Sequence, residues 1–338
     1  TTVLAQQHYN SFKDRLSIFP TRIDMLSRLR TESQNSATVE GINAGDVDIV
    51  IGTHRLLSKD VNFKKLGLLI IDEEQRFGVR HKEHLKKTRT TVDILTMTAT
   101  PILRTLHMAL FGIRDMSRIE NAPGDRQPVT NFVSEYDETV VRDAIMKEVN
   151  RGGQVFYVHN RVIDIDSIFE ELNDLCPGVS FGVAHGRMPP SAIEKVMESF
   201  AAGKLDVLIC TTIVQSGLDI PNANTIIVDE ADKLGLTQLY QLRGRVGRSS
   251  TKAYAFFLFK KRGVLTITAE NRLRAIMNAS ELGSGYKLAM KDLQIRGSGD
   301  ILGSDQSGHV SAVGFDLYTR LLNEAVEEAK GVVAPEKA

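Results

Sequence analysis

The sequence has few cysteines, no net charge and no long apolar run. Its two cysteines, Cys176 and Cys210, stand far apart and lack metal-ligand spacing, which excludes a disulfide scaffold and favours reduced thiols in a cytoplasmic protein. Lysine and arginine number 42 together, as do aspartate and glutamate, so any binding of nucleic acid must depend on a local groove and on backbone amides. Without a long apolar span or a signal sequence, a membrane protein is not expected.

A phosphate-binding loop is also missing. No segment reads G-x-x-x-x-G-K-[ST], the loop whose amides and lysine hold the β- and γ-phosphates of a nucleotide. Residues 1–8 are typical of the end of a strand followed by the start of a helix. We therefore interpret the sequence as an internal part of a longer chain, and we expect it to hydrolyse ATP weakly or not at all by itself.

An apolar run that ends in acidic residues is the most informative segment present. The run from residue 66 to 71 is typical of a buried parallel strand, and Asp72 and Glu73 follow it. Ligands of open α/β sheets lie beyond the carboxyl ends of such strands. One acid there can hold Mg²⁺ while its neighbour orients or deprotonates a water molecule. This placement favours hydrolysis of a nucleoside triphosphate; an acidic turn or helix start is the alternative.

Arginines alternate with glycines and apolar residues in a second segment, residues 241–248, which reads QLRGRVGR. Glycine lets two guanidinium groups approach one anion closely, and arginine stabilises the charge that develops on a γ-phosphate during transfer. A basic helix end on the surface is the alternative. The acidic strand end elsewhere in the chain favours the catalytic interpretation.

One pattern occurs twice, at residues 44–53 and 202–211. Both copies have a small residue and glycine, then an aspartate, an apolar run and a final threonine, and both follow a helical stretch. The repeat predicts two similar α/β lobes, with the acids in the first and the arginines in the second. A nucleotide would then bind between them. Chance similarity of two turn-strand units is the alternative.

Apolar runs alternate with helical stretches along most of the chain, which predicts parallel sheets. Strands are expected at residues 47–53, 66–71, 92–97, 154–158, 179–184, 205–210, 225–229 and 253–259. Helices are expected at residues 139–150, 191–201, 271–282 and 315–329, with a glycine-rich segment up to residue 308. The stretch NAPGDRQP at residues 121–128 interrupts the pattern and is interpreted as a linker.

Together these motifs resemble superfamily-two helicases and translocases from residue 1 to about residue 330. The resemblance implies ATP and Mg²⁺ as cofactors, with the metal on Asp72 and a general-base or water-positioning role for Glu73. It also implies an arginine-finger motif and further nucleotide contacts. The arginine-finger residues would be Gln241, Arg245 and Arg248, and the further nucleotide contacts Glu74, Gln75, Gly217 and Asp219.

The resemblance implies contacts with nucleic acid at several helix starts and loops. Hydroxyls and amides there can hold phosphates without reading bases, which suits a motor that moves over any sequence. For His54 and His185, ordinary loop capping is an equal alternative. The residues implied are Gln6, Gln7, His8, Thr53, His54, Arg55, His185, Gly186, Thr211 and Thr212.

Residues that couple hydrolysis to movement are implied in two places. The segment from Thr98 to Thr100 resembles the motif that links hydrolysis to lobe movement; a polar turn is the alternative. The glycine-rich segment resembles a helical hairpin and loop that converts lobe closure into steps along duplex DNA, with Arg272, Arg296 and Gln306 as its functional residues. A loop that closes the second lobe would also explain the glycines.

The resemblance also implies a fold and its boundaries. The expected class is α/β, with two RecA-like parallel-sheet lobes, the first truncated at its N-terminus, and a C-terminal helical hairpin and loop extension. The first lobe would cover residues 1–122, the linker 123–128 and the second lobe 129–262. The hairpin, glycine-rich loop and C-terminal helix would cover residues 263–330, and the tail 331–338.

Within the superfamily, the stronger resemblance is to the translocase module of bacterial transcription-repair coupling factors, with RecG-type helicases second. Residues 74–79 (EQRFGV) and 313–318 (VGFDLY) favour the former. The resemblance implies a motor on double-stranded DNA. RNA polymerase and nucleotide-excision-repair proteins would bind through regions outside this sequence. Remodelling of forks or junctions, and an inert nucleic-acid-binding fragment, are the alternatives.

Overall fold

A computed structural model describes most of the chain, and its described residues form two compact units. Those up to Ala99 form the first unit and those from Asp115 onward belong to the second; we call them the first and second lobes. Each lobe is described by itself. The described residues are 2–28, 30–73, 92–99, 115–117, 119, 127–212, 220–260, 265–279 and 285–296.

The first lobe combines helices with two pairs of parallel strands. Strand β1 pairs with β2, and β3 pairs with β4. Helices α1 and α2 both pack against β1. Helix α2 begins at a capping box formed by Thr31 and Gln34, and Gly45 ends it at a φ of 83°. Its described elements are α1 (Thr2–Arg15), β1 (Ile23–Leu26), α2 (Glu32–Ala44), β2 (Ile49–Gly52), β3 (Leu68–Asp72) and β4 (Asp93–Met97).

The second lobe is built on a six-stranded sheet in which every neighbouring pair is parallel, in the order β5-β10-β9-β6-β8-β7. Parallel neighbours need crossover connections, and helices supply several of them. The described elements are β5 (Thr130–Glu135), α3 (Glu138–Asn150), β6 (Gln154–Val158), α4 (Ile165–Leu175), β7 (Phe181–Ala184), α5 (Pro190–Ala201), β8 (Val207–Cys210), β9 (Ala223–Val228), α6 (Leu236–Arg243), β10 (Tyr254–Phe259), α7 (Ile267–Met277) and α8 (Gly285–Arg296).

The core of the second lobe lies around its central strands. Strands β6, β8 and β9 are buried along their whole length, as continuous apolar runs in parallel sheets should be. Each large apolar side chain buried here stabilises the fold by roughly 2 kcal/mol relative to exposure. Helix α6 packs against α7 and α8, and α7 also packs against β5. Core residues include Val141, Ile145, Val155, Tyr157, Ile165, Ile209 and Ile227.

The repeated sequence pattern corresponds to a repeated structure. In the first copy, the carboxylate of Asp48 accepts a hydrogen bond of 2.8 Å from the backbone N–H of Arg22, directly before β1. In the second copy, Asp206 accepts one of 2.8 Å from the N–H of Ser180, directly before β7. The glycine of each copy has a positive φ. Each aspartate therefore ties its own strand to the neighbouring parallel strand, and the two similar lobes expected from the repeat are present.

The α/β class and the parallel sheets are confirmed, and several elements differ from expectation. Residues 2–8 all lie in helix α1, so the expected strand end is not there. Strands β1 and β5 were not predicted from the sequence, because both are partly polar and β1 has only four residues. Helix α7 begins four residues earlier than predicted, at Ile267, where Thr266 caps it. Helix α8 occupies part of the predicted glycine-rich segment, because that part, GYKLAMKDLQIR, is rich in good helix formers and packs against α6 and α7.

Other expectations fall outside the described residues. These are most of the linker, at residues 121–126, and the predicted helix at residues 315–329. In the part of the chain that the structure describes, no helix is long and apolar enough to cross a membrane.

Candidate nucleotide site

The acidic pair lies where a parallel strand ends in the first lobe. Asp72 is the last residue of β3, and its side chain is 33% exposed. Glu73 follows at a φ of 56°, and its backbone N–H donates to the carbonyl oxygen of Met97 at 3.2 Å. A non-glycine residue at positive φ costs about 1–3 kcal/mol and is retained where the surroundings enforce it, most often at functional sites.

A single exposed carboxylate suits Mg²⁺ at a nucleotide. Mg²⁺ usually keeps several waters and is held by one or two carboxylates together with phosphate oxygens. Asp72 matches that requirement, because it projects from the carboxyl end of a strand and remains accessible. No group of three or more potential metal ligands occurs among the residues that the structure describes. Asp72 therefore fits a metal that arrives with a nucleotide and takes its other ligands from phosphate and water oxygens.

Helix α1 brings one of the predicted nucleic-acid residues to this acid. The Nε2 atom of His8 lies 3.4 Å from Oδ2 of Asp72. Gln6, two residues earlier, donates to Asn10 along the helix at 2.9 Å. Helix α1 therefore connects the implied nucleic-acid motif with the implied metal ligand within one lobe.

The second predicted contact in the first lobe follows β2. Thr53 is the N-cap of a short 3₁₀ helix, His54–Leu57, and its side chain makes no capping hydrogen bond. The guanidinium of Arg55 forms two hydrogen bonds, of 2.7 and 2.5 Å, with the carboxylate of Asp60. This pairing raises the pKa of Arg55 and lowers the pKa of Asp60. A phosphate that binds Arg55 would have to share it with Asp60.

The arginine segment continues from the end of α6 in the second lobe. Gln241 lies in the last turn of the helix, and Gly244 is the C-cap. The Nε–H of Arg245 donates to the Gln241 carbonyl at 3.3 Å, and that of Arg248 donates to the Gly244 carbonyl at 3.2 Å. Cations at a helix C-terminus stabilise its free carbonyl groups. Arg245 is 7% exposed, whereas Arg248 is only half-buried and is the more accessible of the two.

Gly247 holds this segment in a turn that other residues would strain. Its φ is 72°, and a Cβ atom there would lie 2.6 Å from Cγ2 of Val129. We expect Gly247→Ala to lower the free energy of unfolding by about 2–4 kcal/mol, because it combines backbone strain with a clash in a packed region. Urea denaturation, followed by circular dichroism, measures the loss.

Gly178→Ala is the matched control for Gly247→Ala. Gly178 has a φ of 86°, but nothing lies within 4 Å of its would-be Cβ. Its replacement should therefore cost only the backbone term, about 1 kcal/mol. Equal losses in the two variants would show that contact with Val129 does not restrain the turn.

The remaining predicted nucleic-acid residues follow two neighbouring strands of the second-lobe sheet. His185 and Gly186 come after β7, and Thr211 and Thr212 come after β8. The ring Nδ1 of His185 accepts the N–H of Arg187 at 3.3 Å, which is the loop-capping arrangement. The N–H of Thr211 donates to the carbonyl of Ala184 at 3.3 Å. The two loops therefore lie side by side at the carboxyl edge of this sheet.

A polar group at the same edge was not singled out from the sequence. His159 follows β6, and Asp229 and Glu230 follow β9; the His159 Nδ1 and an Asp229 carboxylate oxygen lie 2.7 Å apart. Glu230 is fully buried, and its carboxylate receives Lys233 at 2.6 Å and Lys260 at 2.7 Å. Burial alone would raise the pKa of Glu230, but the hydrogen bonds from the two lysines outweigh it and lower the pKa to about 2. The sequence signal that could have identified this group is an acidic pair directly after an apolar run, the same pattern as at Asp72.

Some predicted site residues lie outside the described part of the chain. Thr98 is described and half-buried just after β4, and the guanidinium of Arg272 in α7 donates to the Asp232 carbonyl at 3.1 Å. Arg296 is the last residue of α8, and its side chain is outside the described set. Also outside are Glu74, Gln75, Thr100, Gly217, Asp219 and Gln306.

Comparison with known families agrees with the two-lobed fold. Residues 1–109 match the DEAD/DEAH box helicase family, and residues 138–250 match the helicase conserved C-terminal domain. The chain is therefore similar to these helicase families over much of both lobes, and its parallel sheets have the RecA-like fold.

Among the curated proteins similar to the chain are transcription-repair-coupling factors. The chain is 56% identical to the transcription-repair-coupling factor of Bacillus subtilis (strain 168) over 334 residues. The matched region covers 99% of this chain and 28% of that protein. It is 53% identical over 332 residues to the transcription-repair-coupling factor of Staphylococcus haemolyticus, covering 98% and 28%. The chain spans less than a third of the length of these relatives. The resemblance to this family is confirmed.

Solved structures give a consistent result. The structure of RecG bound to a three-way DNA junction superposes with a TM-score of 0.71 at 34% identity, covering 96% of this chain and 42% of that one. Dbp5 of S. cerevisiae, bound to RNA and ADP BeF3, superposes with a TM-score of 0.60 at 13% identity, covering 86% and 78%. The second likeness shows the fold alone. RecG as the second resemblance is confirmed as well.

Proposed function

We propose that the chain is the ATP-dependent double-stranded DNA translocase motor of a transcription-repair-coupling factor, carried within a longer parent polypeptide. The observation that supports this most directly is the acidic pair at the end of β3. Asp72 is accessible there and Glu73 is held at a positive φ, in a sequence that is 56% identical to a coupling factor over nearly its whole length. In the parent, the motor would displace stalled RNA polymerase. Polymerase and nucleotide-excision-repair proteins would bind through other regions, in the cytoplasm.

The nucleotide chemistry of this proposal divides between the lobes. Asp72 would hold Mg²⁺, which when bound would neutralise part of the phosphate charge. Glu73 would orient or deprotonate the attacking water molecule. Arg245 and Arg248 would stabilise charge on the transferring phosphoryl group. Further contacts with the nucleotide would come from Gln241, Glu74, Gln75, Gly217 and Asp219.

Movement along DNA requires grips on phosphate and a link to hydrolysis. Residues of α1 and the loops after β2, β7 and β8 would hold the backbone through hydroxyls, amides and ring nitrogens. Thr98, Thr100 and the residues Arg272, Arg296 and Gln306 would transmit lobe closure to these grips. As domain boundaries we propose residues 1–122 for the first RecA-like domain, 129–262 for the second and 263–330 for the translocation hairpin, glycine-rich loop and C-terminal helix.

The chain by itself should hydrolyse ATP weakly or not at all, because no phosphate-binding loop occurs in its sequence. The test compares phosphate release by the parent and by this chain, with and without linear duplex DNA. Stimulation of the parent by duplex, together with displacement of a triplex-forming strand ahead of it, supports a translocase. Robust turnover by the chain alone contradicts the proposed dependence on a missing loop, and a parent without duplex stimulation contradicts the motor.

Junction remodelling is a second candidate, because the RecG structure that superposes on this chain is bound to a three-way DNA junction. The same experiment separates the two functions when a branched DNA is included. A translocase on duplex should show equal stimulation by linear and branched DNA of equal length. Strong preference for the branched DNA, with conversion of the junction, would favour remodelling.

A further inference from the structure

One amide side chain from the edge of the sheet supports the arginine segment. Asn131 lies in β5, and its Oδ1 accepts the Nε–H of Arg243 at 3.3 Å. Its Nδ2 donates to the carbonyl oxygens of Ile276, at 2.9 Å, and Ala279, at 3.2 Å. Arg243 is the last residue of α6, and Ile276 is in the last turn of α7. A single side chain therefore joins the ends of two helices to the sheet.

Arg243 differs from the two arginines that follow it. The Nε–H groups of Arg245 and Arg248 donate to carbonyls within the same segment. The Nε–H of Arg243 instead reaches across to a strand 112 residues away in sequence, and its side chain also lies over the ring of Tyr240. Arg243 is thus directed towards the sheet.

Because Arg243 is buried, its hydrogen bond to Asn131 holds its guanidinium in place. Arg243 is only 3% exposed, and a buried cation that loses a hydrogen-bond acceptor is costly, so its guanidinium resists displacement. Gly244 follows Arg243 directly, and Arg245 comes next. The orientation of the last turn of α6 is therefore transmitted to Arg245 through Gly244 alone, and to Arg248 through residues 244–247.

We propose that Asn131 is a positioning residue for the arginine segment. Through Arg243 it fixes the last turn of α6 against the sheet, and so sets the direction from which Arg245 and Arg248 approach a nucleotide. Asn131 itself touches no reacting atom. The inference rests on the proposed function, since it assigns Asn131 a role in the ATP hydrolysis proposed above.

Two substitutions separate positioning from simple stabilisation. Asn131→Asp keeps an acceptor for Arg243, but it loses both donors and places a charge opposite two carbonyl oxygens. Asn131→Ala loses the acceptor and both donors. Both variants should unfold at lower temperature than wild type, with the Asp variant at least as destabilised as the Ala variant.

The experiment measures kcat and the KM for ATP of the parent protein with duplex DNA, at a temperature where every variant is folded. Asn131→Ala should lower kcat by about 10–100-fold with an unchanged KM, because a displaced arginine weakens only the transition state. Asn131→Asp should keep kcat within about threefold of wild type, because its acceptor still holds Arg243. Asn222→Ala is the matched control, since Asn222 donates to the Gly152 carbonyl, away from this segment, and its loss should leave kcat unchanged.

The outcomes are distinguishable. If kcat follows stability, so that the Asp variant falls at least as far as the Ala variant, Asn131 is merely structural and the inference is wrong. An unchanged kcat in Asn131→Ala would also contradict the inference. If Asn131→Ala does not fold, Asn131→Leu serves as the variant without an acceptor, and the same comparison with Asn131→Asp decides. A wild-type parent that lacks duplex-stimulated hydrolysis would instead refute the proposed function.

Discussion

A parent protein that carries Glu73→Gln is expected to bind ATP and duplex DNA as wild type does, but to hydrolyse ATP about 10²–10⁴-fold more slowly. Glutamine preserves the size of the side chain and most of its hydrogen bonds, but it cannot accept a proton from water. The backbone at this position has a φ of 56°, and glutamate and glutamine bear the same strain there. The substitution therefore tests chemistry rather than folding. Phosphate release and the affinity for a fluorescent ATP analogue are the two measurements.

Glu230→Gln is the matched control for this prediction. Glu230 also follows an apolar strand and an aspartate, and it also has a positive φ, of 49°. Its pKa of about 2 lies below the ordinary value of 4.5, so its contribution to stability is complete above about pH 4.5 and is lost as the pH falls towards 2. At pH 7 the control should lose on the order of 2 kcal/mol of stability but hydrolyse ATP normally. Equal loss of hydrolysis in both variants would contradict the special role of Glu73.

Arg248→Ala is expected to lower kcat by about 10³-fold or more, the effect that removal of an arginine finger has in other phosphoryl-transfer enzymes. Arg248 is the cleaner of the two candidates because it is half-buried, whereas Arg245 is buried and its removal would also disturb packing. Arg248→Lys should rescue little, since lysine lacks the planar fork that binds two oxygens together. Single-turnover hydrolysis measures the effect on chemistry directly.

The matched control for Arg248 is Arg274→Ala. Arg274 lies on α7 in the same lobe, is exposed, and pairs only with Glu270 at 2.8 Å among the contacts described. A surface pair of this kind contributes little to stability, so the variant should hydrolyse ATP as wild type does. If Arg248→Ala keeps kcat within tenfold of wild type, Arg248 does not stabilise the transition state and the proposed role is wrong.

Much of the fold was predictable because parallel strands leave a strong pattern in sequence. Strand β6 begins and ends at the residues predicted, and β8 and β10 lie within the predicted ranges. Their apolar runs are long enough to distinguish them from turns. Strand β5, by contrast, reads TNFVSE and lies at the sheet edge, where polar residues are tolerated. It was missed for that reason, and with it Asn131.

The candidate site was predictable only in part. The sequence was sufficient to find the acidic pair, the arginine segment and the repeated aspartates, since each has a local pattern. It could not show that Arg243 contacts β5, because the two are separated by 112 residues. Nor could it show that Arg55 is already paired with Asp60. Such partners are chosen by packing, which local propensity does not determine.

By itself the sequence determined that two apolar strands each end in Asp-Glu, at Asp72 and again at Asp229. Only the tertiary structure decided which pair is left accessible. Asp229 is buried against His159, and the carboxylate of Glu230 is held by lysines, one of which comes from the end of β10. Asp72 remains accessible at its strand end. The difference arises because neighbours that neutralise a carboxylate are brought to it by the fold, from positions that its own segment does not specify.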